Sequence, residues 1–361
     1  MPDEDAARGL PAGLDSAVVQ RALSAWYRRT ARDLPWRRDP DPYRVWVSET
    51  MLQQTQVDRV RGAFVAFLEA FPTVGALAAA DTEAVLRAWE GLGYYRRARQ
   101  LQAAARVVME EHGGQLPDSE VKLRRLPGIG RYTAAAILSI AHDRPVPIVE
   151  ANSRRVLARL VGHDRPVGTA AGDEPLWEVA AGLVPRRRAG SFNQALMDLG
   201  ATVCTPRQPL CGRCPLAGCC AAHATGRSDA IPAPLPRRAV IERRETALVV
   251  VHRGRVLVRR CQAGEWWEGL WDFPRLPAAD LVAPLSLGRR REIGRFHYTV
   301  THHRIDLRVV SCSAMRAGPR AGRGVAKRAW VDARALEELP LTSPGRRVAR
   351  LVPALLGPGR V

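Results

Sequence analysis

Leu126-Pro127-Gly128-Ile129-Gly130-Arg131 stands between two segments of helical pattern, the second running Tyr132–His142. A proline and two glycines within four positions permit a hairpin tight enough for backbone N–H groups to approach an anion. The helix that follows would turn its positive end toward that anion. A phosphate held this way positions a protein on a nucleic-acid backbone without reading its sequence. Gly128, Gly130 and Arg131 are therefore candidate backbone contacts, although an ordinary interhelical turn uses the same residue types.

Around this hairpin, residues 16–225 read as helical: alanine is abundant and apolar residues recur at three- and four-residue spacing. Pro42–Leu68 reads as one helix, with Val45, Met51, Leu52, Val60, Phe64 and Phe67 on a broad apolar face. Leu77–Trp89, Arg96–Glu111 and Ala151–Leu160 read as further helices. The pattern changes at 226–245, where Pro232, Pro234 and Pro236 mark an extended linker followed by Arg237 and Arg238. Beyond it, Ala247–Val251, a turn at Arg253-Gly254 and Val256–Val258 predict a β-hairpin. Phe296–Thr301, Ile305–Val310 and Ala329–Val331 predict more strands, and Arg334–Leu339 a short helix. A helical domain over 1–225 thus precedes a smaller, mostly β domain over 246–361.

The totals agree with two soluble domains. The chain has 361 residues, 46% of them apolar, and a formal charge of +19. No apolar run approaches the ~18 residues of a membrane span. Met1–Leu14 lacks a basic-then-apolar signal pattern, so a cytoplasmic, nucleoid-associated location is expected. Residues 1–230 carry 30 basic and 25 acidic side chains, a net +5; residues 231–361 carry 25 and 11, a net +14. Lysine occurs only at 122 and 327, as a GC-rich coding sequence would give, but codon bias does not explain the excess over acid. A polyanionic partner does.

Five of seven cysteines fall within 204–220. Cys204-x6-Cys211-x2-Cys214-x5-Cys220 can supply four thiolates to one centre, either a [4Fe–4S] cluster or a structural Zn²⁺. Cys219 is adjacent to Cys220 and is the alternative fourth ligand. Two carboxylates also stand out. Glu49 sits inside an apolar helix with Trp36 and Trp46 upstream, where desolvation would raise its pKa and suit a general acid. Glu150 follows the apolar run Val146–Val149 and begins a helix. Taken singly, each is also a common surface or helix-start acid.

Read together, Leu34–Arg37, Trp46–Val57, Gly91–Tyr95, Leu126–Gly130, Phe192–Ala201 and the cysteine array resemble the MutY adenine DNA glycosylases of the helix-hairpin-helix superfamily, over roughly 20–220. Trp266–Pro274 is similar to a segment of the MutY C-terminal domain. The resemblance implies a six-helix barrel with a [4Fe–4S] module, then an α+β Nudix-like domain that recognises 8-oxoguanine. It implies a monofunctional, retaining enzyme that removes adenine opposite 8-oxoguanine or guanine in double-stranded DNA. It also implies a monovalent cation at the hairpin; nothing calls for more than a monomer. Glu49 would protonate adenine, Glu150 would stabilise the sugar cation, and Tyr132 and Asn152 would support Glu150 by hydrogen bonds. Arg32, Trp36, Arg37 and Gln194 would line the adenine pocket. Gln54, Thr55 and Tyr94 would meet the opposite base, as would Thr301 and His302.

Tyr132 sharpens this picture, and Glu150, the Nudix-like domain and Val300 depart from it. Endonuclease-III-like relatives carry a catalytic Lys where this chain has Tyr132, so no Schiff base and no β-elimination are expected. The second carboxylate, normally Asp, is Glu150, one methylene longer. The acidic signature of nucleotide-hydrolysing Nudix domains is absent, and Val300 replaces an aromatic in the opposite-base loop. A thymine- or uracil-mismatch glycosylase and a lesion-binding protein impaired at Glu150 are the alternatives.

Overall fold

Asp15 accepts hydrogen bonds from the N–H groups of Ala17 and Val18 and so starts α1 (Ser16–Thr30), whose Val19, Leu23 and Trp26 are buried. Asp41 does the same for α2 (Pro42–Leu52), with Pro42 supplying a helical φ at the first position. The computed structural model describes residues 10–11, 13–236, 239–276, 287–314 and 328–356. Arg237 and Arg238 of the expected linker lie outside them.

The helix expected over 42–68 is two helices. α2 ends at Leu52, Gln54 adopts φ +56°, and α3 runs Val57–Ala70. The apolar period survives the break because the two halves contact each other and each buries apolar residues, so periodicity alone does not reveal it. The segment expected at 77–89 likewise divides into α4 (Val74–Ala79) and α5 (Thr82–Ala88), where the Asp81 side chain caps the N–H groups of Glu83 and Ala84. Then follow α6 (Arg96–His112), α7 (Glu120–Leu123), the hairpin, and α8 (Arg131–Ala136), which continues as a π-helical turn over Ile137–Ala141. After these come α9 (Ala151–Val161), α10 (Ala170–Leu183), α11 (Ala189–Thr202) and the short α12 (Ala221–Ala224). Among the described residues no helix is long and apolar enough to cross a membrane.

The backbone packs as two compact units, 1–78 with 103–236, and 79–102 with 237–361. In the first, Leu23, Leu157, Leu176, Phe192 and Leu196 from α1, α9, α10 and α11 share one core. α9 and α11 approach so closely that a Cβ on Gly200 would stand 2.7 Å from the carbonyl oxygen of Asn152. The second unit holds a mixed sheet of β1 (Ile241–His252), β2 (Arg255–Arg260), β3 (Trp271–Asp272), β4 (Arg275–Leu276), β5 (Arg291–Val300), β6 (His303–Ser313) and β7 (Arg328–Val331). Its main path is β3-β2-β1-β6-β5, with β4 beside β1 and β7 beside β2.

β1 and β6 pair in parallel from Ile241↔His303 to Val251↔Ser313. Both faces of β1 are covered: Ala247 and Val249 join one core, Leu248 and Val250 another. That is why 247–251 is continuously apolar rather than alternating. α13 (Ala333–Glu338) and α14 (Ser343–Ala349) add Leu336 and Val348 to the first of these cores. Segment 79–102 is tied into this unit by Glu90 to Arg346 (2.7 Å) and Glu83 to Arg260 (3.5 Å).

Two glycines give opposite expectations. Gly200→Ala forces α9 from α11 and should cost about 1–3 kcal/mol. Gly62→Ala in α3, where nothing lies within 4 Å of the new Cβ, should gain roughly 0.5–1 kcal/mol. Thermal melts by circular dichroism should move down for the first and up for the second.

Candidate active site

α2, the turn after it, α8, the start of α9 and α11 enclose a cavity of about 630 Å³ in the first unit. Glu49 projects from the middle of α2 and is only 3% exposed. Burial, the dominant influence, raises its pKa from 4.5 to about 7. The charge of Glu150 pushes the same way; a hydrogen bond from Tyr132 and the Arg37 guanidinium oppose it. The Tyr132 hydroxyl donates to Oε2 of Glu49, and burial holds that phenol well above its ordinary range.

Glu150 is the N-cap of α9. Its Oε1 accepts from the backbone N–H groups of Asn152 (2.8 Å) and Ser153 (2.7 Å), while the Ser153 hydroxyl caps the Glu150 N–H in return (2.9 Å). Oε2 meets only the Asn152 side-chain amide among the described residues, at 3.4 Å. Burial raises the Glu150 pKa, and the two backbone N–H groups restrain it. Asn152 thus stands where the family resemblance put it, on Glu150. Tyr132 does not: α8 packs beside α2, and its hydroxyl reaches Glu49 instead.

Arg32, Trp36, Arg37 and Gln194 line this cavity, as do Gln54 and Thr55 from the turn that interrupts the expected long helix. Trp36 also packs edge-on to Phe64 (5.7 Å between centroids), so it serves core and cavity together. Arg32 and Arg37 converge on Asp198, a fully buried α11 residue that sequence reasoning passed over. Arg37 grips it through two hydrogen bonds of 2.7 and 2.8 Å, and Arg32 Nε through a third of 2.7 Å. The guanidiniums hold the Asp198 carboxyl below its ordinary pKa despite burial. A carboxylate one helical turn after Gln194, next to the buried Leu196 and Leu199, was the available signal.

At the hairpin, Gly128 has φ +78°, and the Ile129 N–H closes on the Leu126 carbonyl at 3.2 Å. Arg131 folds back onto α10, pairing with Glu174 (2.8 Å) over the Trp177 ring (4.1 Å). Tyr94, Thr301 and His302 belong to the second unit. Tyr94 is half exposed with φ +47°, and Thr301-His302 forms the turn between β5 and β6.

Cys204, Cys211, Cys214 and Cys220 line one cleft; Cys219 opens onto a different one. Among the described residues no three side chains converge tightly enough to hold a single metal ion. Arg159 Nη1 lies 3.2 Å from Cys204 Sγ. Arg155 bonds the Cys204 carbonyl (2.7 Å) and the Asn152 side chain (3.0 Å). One helix, α9, therefore carries Glu150 at its start and holds the cysteine segment along its length.

Residues 47–177 match the HhH-GPD superfamily of base excision DNA repair proteins, and 246–351 match the NUDIX domain. The fold and cavity thus define the class: a helix-hairpin-helix base-excision repair protein joined to a Nudix-like domain. Within that class the chain belongs to the adenine DNA glycosylase family. It is 34% identical to the adenine DNA glycosylase of Buchnera aphidicola from Schizaphis graminum, over 71% of this chain and 74% of that protein. To the rat adenine DNA glycosylase it is 45% identical over 60% of this chain and 45% of that one. It spans about half the length of the rodent relatives. A solved thermostable thymine-DNA glycosylase is 28% identical with a TM-score of 0.53, covering 58% of this chain and 97% of that one.

Asp198→Ala leaves two guanidiniums facing an empty site and should destabilise the first unit by about 3–5 kcal/mol; urea unfolding followed by circular dichroism would measure this. Glu49 has a raised folded pKa, so its stabilising contribution is complete below about 4.5 and lost as pH rises through about 7. The fall in melting temperature from pH 5 to pH 8 should therefore be smaller in Glu49→Gln than in the parent chain.

Proposed function

We propose that this chain is a monofunctional adenine DNA glycosylase acting on adenine opposite 8-oxoguanine or guanine. The observation that carries the reading is Glu49: a buried carboxyl, pKa about 7, in a cavity that also holds Glu150. Adenine must leave the stack to reach such a cavity. Glu49, protonated, then gives its proton to adenine N7. The C1′–N9 electrons depart with the base and leave an oxocarbenium-like sugar. Tyr132, donating to one Glu49 oxygen, orients the other as proton donor.

Glu150 supplies the negative charge for the sugar cation. Its Oε1 is committed to backbone N–H groups, so Oε2 is the oxygen available to the substrate. Folding the carboxylate back onto its own helix absorbs the extra methylene relative to Asp, which supports activity rather than impairment. Water completes hydrolysis. Tyr132 has no amine, which supports a monofunctional reaction.

The opposite base would meet Gln54, Thr55, Tyr94, Thr301 and His302. The hairpin at Gly128 and Gly130 would take a DNA phosphate, and the net +14 of residues 231–361 would add a salt-sensitive searching surface. Cys204, Cys211, Cys214 and Cys220 would hold a [4Fe–4S] cluster. Four thiols around one cleft supply the ligand number and type that such a cluster takes. When bound, it would cross-link the segment that α9 holds beside the active site.

Single-turnover base release from duplexes carrying A:8-oxoguanine, A:G and T:G tests the reading. Release from the two adenine duplexes should fall as pH rises above about 7, and Glu49→Gln should lower it by roughly 10²–10⁴-fold. Near-normal release by Glu49→Gln would remove it from the acid role. Glu150→Gln matching the parent chain would remove Glu150, and release from T:G alone would replace the substrate.

A further inference from the structure

Between α5 and α6 the large side chains turn inward, with one exception. Trp89, Leu92 and Tyr95 are buried, whereas Tyr94 is 53% exposed. The backbone that turns it outward is left-handed at Gly91 (φ +89°), at Gly93 (φ +70°) and at Tyr94 itself (φ +47°). Glycine adopts such angles freely, but a bulky aromatic holds one only where its surroundings enforce it.

Arg97, the second residue of α6, makes the contacts that do so. It is 8% exposed, and burial pulls its pKa down to about 10, which leaves it charged at neutral pH. Its Nη2 donates to the carbonyls of Leu92 (3.0 Å) and Gly93 (3.1 Å), and the Trp89 indole N–H donates to the same Gly93 carbonyl (3.2 Å). Its backbone N–H closes on the Tyr94 carbonyl at 2.8 Å. The guanidinium carbon also lies over two rings, 5.5 Å from the centroid of Trp89 and 5.6 Å from that of Tyr94. A guanidinium can do both at once, because its N–H groups point outward in its plane while its faces stay free to stack. One buried side chain thus fixes the two carbonyls before Tyr94 and one face of the Tyr94 ring.

An exposed aromatic that slides into a base step loses rotamer freedom unless its ring is already held. Tyr94 meets water with that ordering done. We propose that Arg97 is a positioning residue for Tyr94, and that it thereby sets how well the enzyme separates 8-oxoguanine from guanine opposite adenine. The inference rests on the reading of Tyr94 as an opposite-base contact. The two bases differ by one oxygen and one N–H, and a ring free to swing would blur so small a difference. Arg97 acts only through the ring and its turn.

Single-turnover release from A:8-oxoguanine and A:G duplexes, expressed as the ratio of the two rate constants, tests the inference on the full chain. Tyr94→Ala should lower the ratio about tenfold, and Arg97→Met should lower it nearly as much. In the Tyr94→Ala background, Arg97→Met should change the ratio by less than about twofold. Arg97→Lys keeps a cation over the rings and should stay within about threefold of the parent chain. A merely structural role would reduce the active fraction on both duplexes and leave the ratio intact. An unchanged ratio in both Arg97→Met and Arg97→Lys, with a lowered one in Tyr94→Ala, would overturn the positioning role alone. So would an equal loss from Arg97→Met with and without Tyr94. An unchanged ratio in Tyr94→Ala would remove the opposite-base contact and this inference with it. Absence of release from both duplexes by the parent chain would overturn the glycosylase reading itself.

Discussion

Keeping Glu49 out of water is the constraint on which the first unit is arranged. A carboxyl in the middle of a buried helix is tolerated only neutral or well partnered. Here one partner, Tyr132, donates to it, and a second carboxylate, Glu150, raises the cost of ionising both. The neighbouring guanidinium that could have neutralised Glu49 is spent elsewhere: Arg37 lies in a bidentate grip on Asp198. Asp198 thereby does two things. It keeps Arg32 and Arg37 fixed at the cavity wall, and it holds by two hydrogen bonds the guanidinium whose charge lowers the Glu49 pKa less than burial raises it.

The second organising element is α9. Its first residue position is capped by Glu150, Asn152 leans on that cap, and Arg155 and Arg159 reach from the same helix to the Cys204 segment. Because α11 presses against Asn152 at Gly200, the geometry of the carboxylate and the path of the cysteine segment are set by the same helix-to-helix distance. A module that looks separate in sequence is mechanically continuous with the active site.

Much of this was legible from residues alone. The hairpin followed from Pro127, Gly128 and Gly130; the sheet unit followed from the apolar run at 247–251; the two glutamates and the four cysteines were all singled out. What escaped were features for which sequence period carries no signal. The break between α2 and α3 sits in an unbroken apolar pattern, since the two helices contact each other and both bury apolar residues. The helices read at 77–89 and 96–111 gave no sign that residues 79–102 meet partners more than 150 residues away. Asp198, inside the string 192–201, carried no role of its own until two arginines, 161 and 166 residues distant, met it.

The sequence by itself determined which groups are present: two carboxyls, four thiols, a glycine hairpin and a strongly basic second half. Local chemistry also settled some short-range geometry, such as the capping of α9 by Glu150, because a cap needs only neighbours two and three residues on. The tertiary structure alone decided what those groups are chemically. The burial that raises Glu49, the hydroxyl that Tyr132 gives to it rather than to Glu150, and the pairing of Arg37 with Asp198 all join residues far apart in the chain. Desolvation and charge coupling depend on distance in space, and no spacing along the sequence encodes that distance.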